Sequence, residues 1–354
     1  MPRKPRRICL GLAVLVANTF ALIPLAHAQG KWTNVAPFPD PREEVLGAAA
    51  AGKMYVFAGL IPLWHTAGLV YEYDPAANQW TKRKPMALPS HHVAFTTYND
   101  KIYAFGGFVY PESGPAAWVP IDNAFEYDPS KDTWKGLAPM PIKRGAAVAA
   151  TVGDKIYVIG GVTTQPWAKD NFLNFTTPQR GLGTVQEYDP RTNTWRERTP
   201  MPTPRNHAAV GVVNGKIYVI GGRVGGAFVS SGSSNVGIVE EYDPATDAWG
   251  APRARMPSAR SAMSSGTWGG KIYVTGGEGQ DYVNMFAFRA LEAYDPAANT
   301  WTVLPNMPVG RHGLAGAVVG NRLHMVSGDV QSAGTGVHVH TDSHDAYEFE
   351  GGKK

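Results

Sequence analysis

The stretch Met201–Gly222, MPTPRNHAAVGVVNGKIYVIGG, constrains the fold of this chain more than any other because it recurs. It opens on Met-Pro, turns a polar, basic corner and runs into small apolar residues. Asn214-Gly215 then reads as a two-residue hairpin turn, since both residues tolerate the positive φ that matches strand twist. Lys216–Ile220 alternates as a strand and ends at Gly221-Gly222. Glu241-Tyr242 belongs to a third strand, Asp243-Pro244 to a turn, and Trp249 opens a fourth. Four antiparallel strands in roughly fifty residues is the size of one propeller blade.

Copies of the second strand begin at Lys53, Lys101, Lys155, Lys216, Lys271 and Arg322. The turn dipeptide recurs at Asp74-Pro75, Asp128-Pro129, Asp189-Pro190, Asp243-Pro244 and Asp295-Pro296, and the closing tryptophans are Trp32, Trp80, Trp134, Trp195, Trp249 and Trp301. In its double glycine, downstream tyrosine and closing tryptophan the unit resembles the Kelch-repeat family, from about Lys31 to Phe349. The first and last copies keep only Gly59 and Gly328 of the glycine pair. The resemblance implies an all-β, six-bladed Kelch-type β-propeller. A lone blade cannot bury both its faces, so the repeats must stack into a ring. The glycines are expected to let strands crowd near the axis, and the aromatics to fill the space between blades. The repeats end on a third strand, Asp345–Phe349, and begin on a tryptophan strand. Lys31–Val35 is therefore expected to complete the last blade and close the ring, leaving no open edge.

Arg3, Lys4, Arg6 and Arg7 precede an apolar run, Ile8–Leu25, and Ala26-His27-Ala28. That order is expected of a secretory signal over residues 1–28, with a propeller over 29–354, a periplasmic or secreted location, and no membrane span once the signal is cleaved. The chain has 33 basic and 29 acidic side chains; residues 1–28 hold four of the basic ones and no acid, which leaves 29 of each. The remainder has no global pull toward nucleic acid. Its one cysteine, Cys9, lies in the same segment, so residues 29–354 offer no disulfide, thiolate metal site or cysteine nucleophile.

Short, repetitive turns are expected on one face of the ring. The variable links, longest between second and third strands, are expected on the other, here called the top, where function usually sits on such scaffolds. Three residues after a repeat-opening proline stand Arg42, His92, Arg144, Arg205, Arg260 and Arg311. They suit a funnel for carboxylates, which guanidinium groups grip bidentately; a residue repeated in every blade equally suits a structural part. Departures from the repeat are His92, Glu43-Glu44, His207 after Arg205, and His312 after Arg311. All but one of the histidines after residue 28 are expected on the top face, the exception being His324 in a strand. His338, His340 and His344 form a weak candidate metal set, since His-x-His on extended chain points both rings one way. Their Gly-rich loop matches no zinc spacing, and no cofactor or metal is expected. Trp64, Trp118 and Trp167 lie in the long links of the first three repeats as a one-sided aromatic rim.

No phosphate-binding loop, dinucleotide fingerprint, nucleophile elbow or His-Glu-x-x-His occurs. Galactose-oxidase-like enzymes share the repeats but need a cysteine cross-linked to tyrosine, which residues 29–354 lack. Two readings stay open. One is an exported binding module that takes a protein or glycan through its top loops, with Arg42, His92, Arg144, Arg205, His207, Arg260, Arg311, His312, Trp64, Trp118 and Trp167 as contacts. The other is an epimerase or mutarotase for an acidic sugar such as a sialic acid, the layout being similar to periplasmic N-acetylneuraminate epimerases. There Arg205 or Arg144 would hold a carboxylate and His92, His207 or Glu44 would move a proton.

Overall fold

The computed structural model describes residues 30–229, 234–280, 284–335 and 337–350. The expected signal segment lies outside them. Strand β1, Lys31–Asn34, comes first. The first blade follows: β2 (Glu43–Ala50), β3 (Lys53–Ile61), β4 (His65–Asp74) and β5 (Gln79–Lys82), joined in that order as one antiparallel sheet. Four further sheets repeat this order. In the sixth, Ala315–Val319, Arg322–Val326 and His344–Glu348 are completed by β1, with Lys31 opposite Glu348 and Asn34 opposite Asp345. The ring closes as the repeat pattern requires. Among the described residues there is no α-helix, and no helix is long and apolar enough to cross a membrane.

The innermost strands meet around the axis, and there glycine is needed for space. A Cβ on Gly47 would stand 2.5 Å from the Gly316 carbonyl oxygen. The double glycines are as crowded as expected: a Cβ on Gly106 would stand 2.4 Å from the Arg144 carbonyl oxygen, and one on Gly222 2.6 Å from that of Asn206. They end the second strands at positive φ, and the second glycine reaches the next blade: Gly107, Gly161, Gly222 and Gly277 donate their N–H to the carbonyls of Arg144, Arg205, Arg260 and Arg311 at 2.9–3.0 Å. Gly328 does the same to Arg42 across the closure.

Between blades lie separate apolar layers. One holds Tyr55, Phe57, Ile102 and Tyr127, all nearly inaccessible to solvent. Each closing tryptophan packs beside such a layer and donates its indole N–H to the link by which the chain enters its own blade from the preceding one, as Trp80 to Ala36 at 3.0 Å and Trp195 to Ala138 at 2.9 Å. Trp32 donates to Pro305 across the closure at 2.8 Å.

The top links differ from the expected loops. In the first blade β3 and β4 simply extend as a long hairpin through Pro62–Trp64. In the next four, short two-stranded ribbons stand above the sheets, such as Val162–Thr164 on Gln179–Gly181.

Candidate functional site

A buried methionine, rather than the proline, fixes the register of each entry corner. Met86, Met140, Met201, Met256 and Met307 plug equivalent sites, with Phe38 in the first blade. Counted from them, Ser90 takes the arginine's place in the second blade. His92 falls two residues later, level with Glu44, Ala146, His207, Ala262 and Gly313. This corrects the six-membered ring expected from the sequence.

Those six residues all have φ of 52–58°. They pass backbone hydrogen bonds around the axis: Ala146 to His92, His207 to Ala146, Ala262 to His207, Gly313 to Ala262, and Val45 to Gly313. Left-handed backbone costs a non-glycine residue about 1 kcal/mol. Three positions carry alanine or glycine, and three carry chemistry: Glu44, His92 and His207. The three residues selected from the sequence as proton carriers thus converge at the axis. His92 Nε2 lies 3.0 Å from a Glu44 oxygen, without the alignment of a full hydrogen bond. His207 donates from Nδ1 to Asn206 at 2.5 Å. Burial, with Arg223 and His92 nearby, pushes its pKa well below the usual histidine value. A neutral ring with Nδ1 donating presents the Nε2 lone pair, and no partner meets it.

The arginines turn away from this mouth. Arg144, Arg205, Arg260 and Arg311 are fully buried and point into their own blades. Arg205 donates to the carbonyls of Val219 and Gly221 at 2.9 Å and pairs with Glu240. Arg260 repeats this with Val274, Gly276 and Glu292, and Arg311 with Met325 and Asp345. Arg144 bonds Val158 and Gln186. Each guanidinium ties the second strand to the third, so these four are parts of the scaffold and not a carboxylate funnel. Arg42 is partly exposed and pairs with Asp40 at 2.6 Å.

Above the ring opens a cavity of about 310 Å³, lined on one side by Leu60, Trp64, Trp118, Phe175 and Phe228. Trp118 and Phe228 lie 4.4 Å apart between ring centres, and Phe175 and Phe228 4.6 Å. The opposite side holds Glu43, Arg223, Glu278 and His338. This division follows the residue after the glycine pair, which is Leu60, Phe108 and Val162 in the first three blades and Arg223, Glu278 and Asp329 in the last three. Sequence reasoning passed over Arg223, Glu278, Asp329 and Phe228, although the first three break the repeat at one fixed place. Trp64 and Trp118 stand in the aromatic wall, whereas Trp167 is 71% exposed and outside the cavity.

Arg223 pairs with Glu278 at 3.0 Å while its Nε and Nη1 remain buried without partners. His312 sits 3.8–3.9 Å from carboxylate oxygens of Glu43, Glu44 and Glu278. Burial would lower its pKa, but these carboxylates raise it overall. Burial would raise the Glu43 pKa; the hydrogen bond from His338, with His340 and His312 close by, brings it down to about 2. His338, hydrogen-bonded to Asp329 and Glu43, is pushed up to about 10. His344 is elsewhere. It lies in the last blade's third strand, buried against Tyr73 and Trp80, with Nε2 2.9 Å from His324 Nδ1. The expected trio is therefore split.

Comparison with known proteins agrees with this architecture. The KLHDC2/KLHL20/DRC7 Kelch-repeats domain matches residues 175–328, and the Kelch motif matches residues 89–141 and 143–202. The chain is 28% identical to Kelch-like protein terF of Aspergillus terreus over 86% of its own length and 66% of that protein's. It is 30% identical to human Kelch repeat and BTB domain-containing protein 12 over 66% of its length, and 29% identical to human Kelch-like protein 23 over 78%. It spans only 37% and 44% of those two proteins.

Proposed function

We propose that this chain, whose repeats are of the Kelch type, is a binding module that docks a protein partner on its top face and takes one projecting group into the axial cavity. The observation that carries this reading is where apolar surface is left uncovered. Among the described residues, the large apolar side chains left exposed include Leu63, Trp167, Phe175, the Met285-Phe286 pair, and Val337 with Val339. All of these lie on links between second and third strands; Val309 lies on a link to the same face, and Val303 alone sits on an outer strand. Apolar surface gathered on one face marks an interaction site. Aromatic side chains around a pocket are the usual anchors of a protein interface. Kelch propellers are typically protein-binding modules, and the expected signal segment would put this one outside the cytoplasm.

A photo-crosslinking residue at Leu63, which is 78% exposed, is expected to capture one discrete partner in the cells that make the protein. The same residue at Asn99, in a turn on the opposite face, should capture none. Equal capture at both positions, or capture at Leu63 unaffected by Trp118→Ala, would sink the proposal.

A second reading, conversion of an acidic sugar, is supported by the approach of His92 to Glu44 beside the free Nε2 of His207. Arg223, and not Arg144 or Arg205, would then hold the carboxylate. Epimer exchange of a sialic or uronic acid, abolished by Glu44→Gln, is its test; no exchange by the wild type removes it.

A further inference from the structure

The geometry points to a binding site for one divalent transition-metal ion of the zinc class, formed by Glu43, Asp329, His338 and His340. Each of these residues offers one ligand atom, and the four atoms lie within 4.8 Å of one another. His338 Nδ1 is 3.1 Å from Glu43 Oε1 and 3.1 Å from Asp329 Oδ2, and His340 Nε2 is 3.8 Å from Glu43 Oε1. Bonds of about 2.0–2.2 Å to a tetrahedral ion place ligand atoms roughly 3.4 Å apart. Small side-chain shifts therefore suffice to close the set around an ion.

The donors come from three places that the closed ring brings together. Glu43 opens β2, Asp329 follows the last blade's second strand, and both histidines stand on the link beyond it. Asp329 is already oriented: Oδ1 accepts the N–H groups of Gln331 at 2.8 Å and Val339 at 3.1 Å, which leaves Oδ2 turned to the cluster. Such outer contacts fix first ligands in metal sites. Both carboxylates are buried, Asp329 completely.

A second observation concerns a residue outside these four. His312 is fully buried, and its Nδ1 donates to the Gln331 carbonyl at 2.6 Å. Its Nε2 has no hydrogen-bond partner and faces the carboxylates of Glu43, Glu44 and Glu278. Three carboxylates gathered on one buried imidazole hold more negative charge than that ring alone can balance, which favours a cation beside them. Two imidazoles with two carboxylates suit zinc, cobalt, manganese or iron(II). Calcium and magnesium, which bind oxygen, would leave both histidines unused. Since Glu43 and His338 also line the axial cavity, the ion belongs to its wall.

The test uses tag-free protein, residues 29–354, stripped with EDTA and titrated calorimetrically with zinc sulfate. A parallel titration with cobalt chloride is followed by the visible absorption of the bound ion. The expected result is one equivalent per chain, unaffected by excess magnesium. Affinity should fall at least tenfold in His338→Ala and in His340→Ala, and saturable binding should vanish in the double variant. His65→Ala removes an exposed histidine stacked on Tyr110 outside the cluster and should bind as the wild type does. Melting curves of the metal-free proteins check that each variant is folded; neither His338 nor His340 is fully buried, so both substitutions should leave the fold intact. Absence of stoichiometric uptake by the wild type, or uptake that survives the double substitution, overturns the site. No partner protein enters the measurement, so its outcome is separate from that of the docking proposal.

Discussion

At the scale of single residues, burial separates side chains that hold the propeller from those that serve a ligand. Arg205 spends its donors on Thr203, Val219, Gly221 and Glu240. Truncating it strands a carboxylate and two strand carbonyls, a loss of about 3–5 kcal/mol for a buried pair. Arg205→Met is therefore expected to lower the melting temperature by about 5–8 °C in calorimetry, with partner capture per folded molecule unchanged. A variant that melts normally but captures nothing would return Arg205 to the binding site. His324 and His344 give a second residue-level prediction. Burial pushes His324 down to about 4, and burial with the charge of His324 pushes His344 down to about 3. Unfolded histidines titrate near 6.5, so below that pH the unfolded chain takes up protons that the fold refuses. The associated stability is complete above pH 6.5 and is lost as pH falls toward 4. Between pH 7 and 5 each group costs about 2 kcal/mol. Urea unfolding at these two pH values should show a smaller loss in His344→Leu than in wild type; equal losses would refute the assignment.

At the scale of elements, much of the architecture was legible because each blade repeats one chemical sentence. The turn at Asn214-Gly215, the strand from Lys216 and the tryptophan at Trp249 each return at fixed spacing, so blade number and ring closure followed. The error at His92 shows what such reading lacks. Proline marks a corner that can slide by two residues, as at Pro89, whereas the buried methionine cannot move without emptying its socket. The meeting of Glu43 with His338 depends on closure bringing the first and last blades together, and no local pattern announces it. Closure itself carries a prediction. Strand β1 supplies an outer edge and an indole to the last blade, and without it His344–Glu348 becomes an exposed edge strand. A chain starting at Val35 should lose at least 3 kcal/mol in urea unfolding and be cut by protease first within the last blade. Unchanged stability would mean that β1 is dispensable.

At the scale of the whole molecule, backbone hydrogen bonds run from corner to corner around the axis, from His92 through to Val45, and the fold keeps all six corners left-handed whatever residue stands there. The residues after the glycine pairs are apolar in the first three blades and charged in the last three, and the cavity above the ring offers a ligand one greasy and one polar side. Glu44, His92 and His207 keep side chains at strained positions where Gly313 shows that glycine suffices. This is the pattern of stability given up for a site. Ala146 and Ala262 meet the same backbone demand and bring no ionisable or hydrogen-bonding group to the mouth. Replacing an L-residue with glycine at such φ removes the clash at Cβ, although it also frees the unfolded chain. The balance for Ala146→Gly with Ala262→Gly is expected to be a gain of about 1 kcal/mol, or about 2 °C in melting temperature. Capture at Leu63 should be unchanged. His92→Gly relieves the same strain but removes the group facing Glu44, so it should impair whatever the cavity does while melting no lower than His92→Ala. If His92→Ala proves the more stable of the two, the ring is not strained at that corner, and the selection of Glu44, His92 and His207 by strain fails with it.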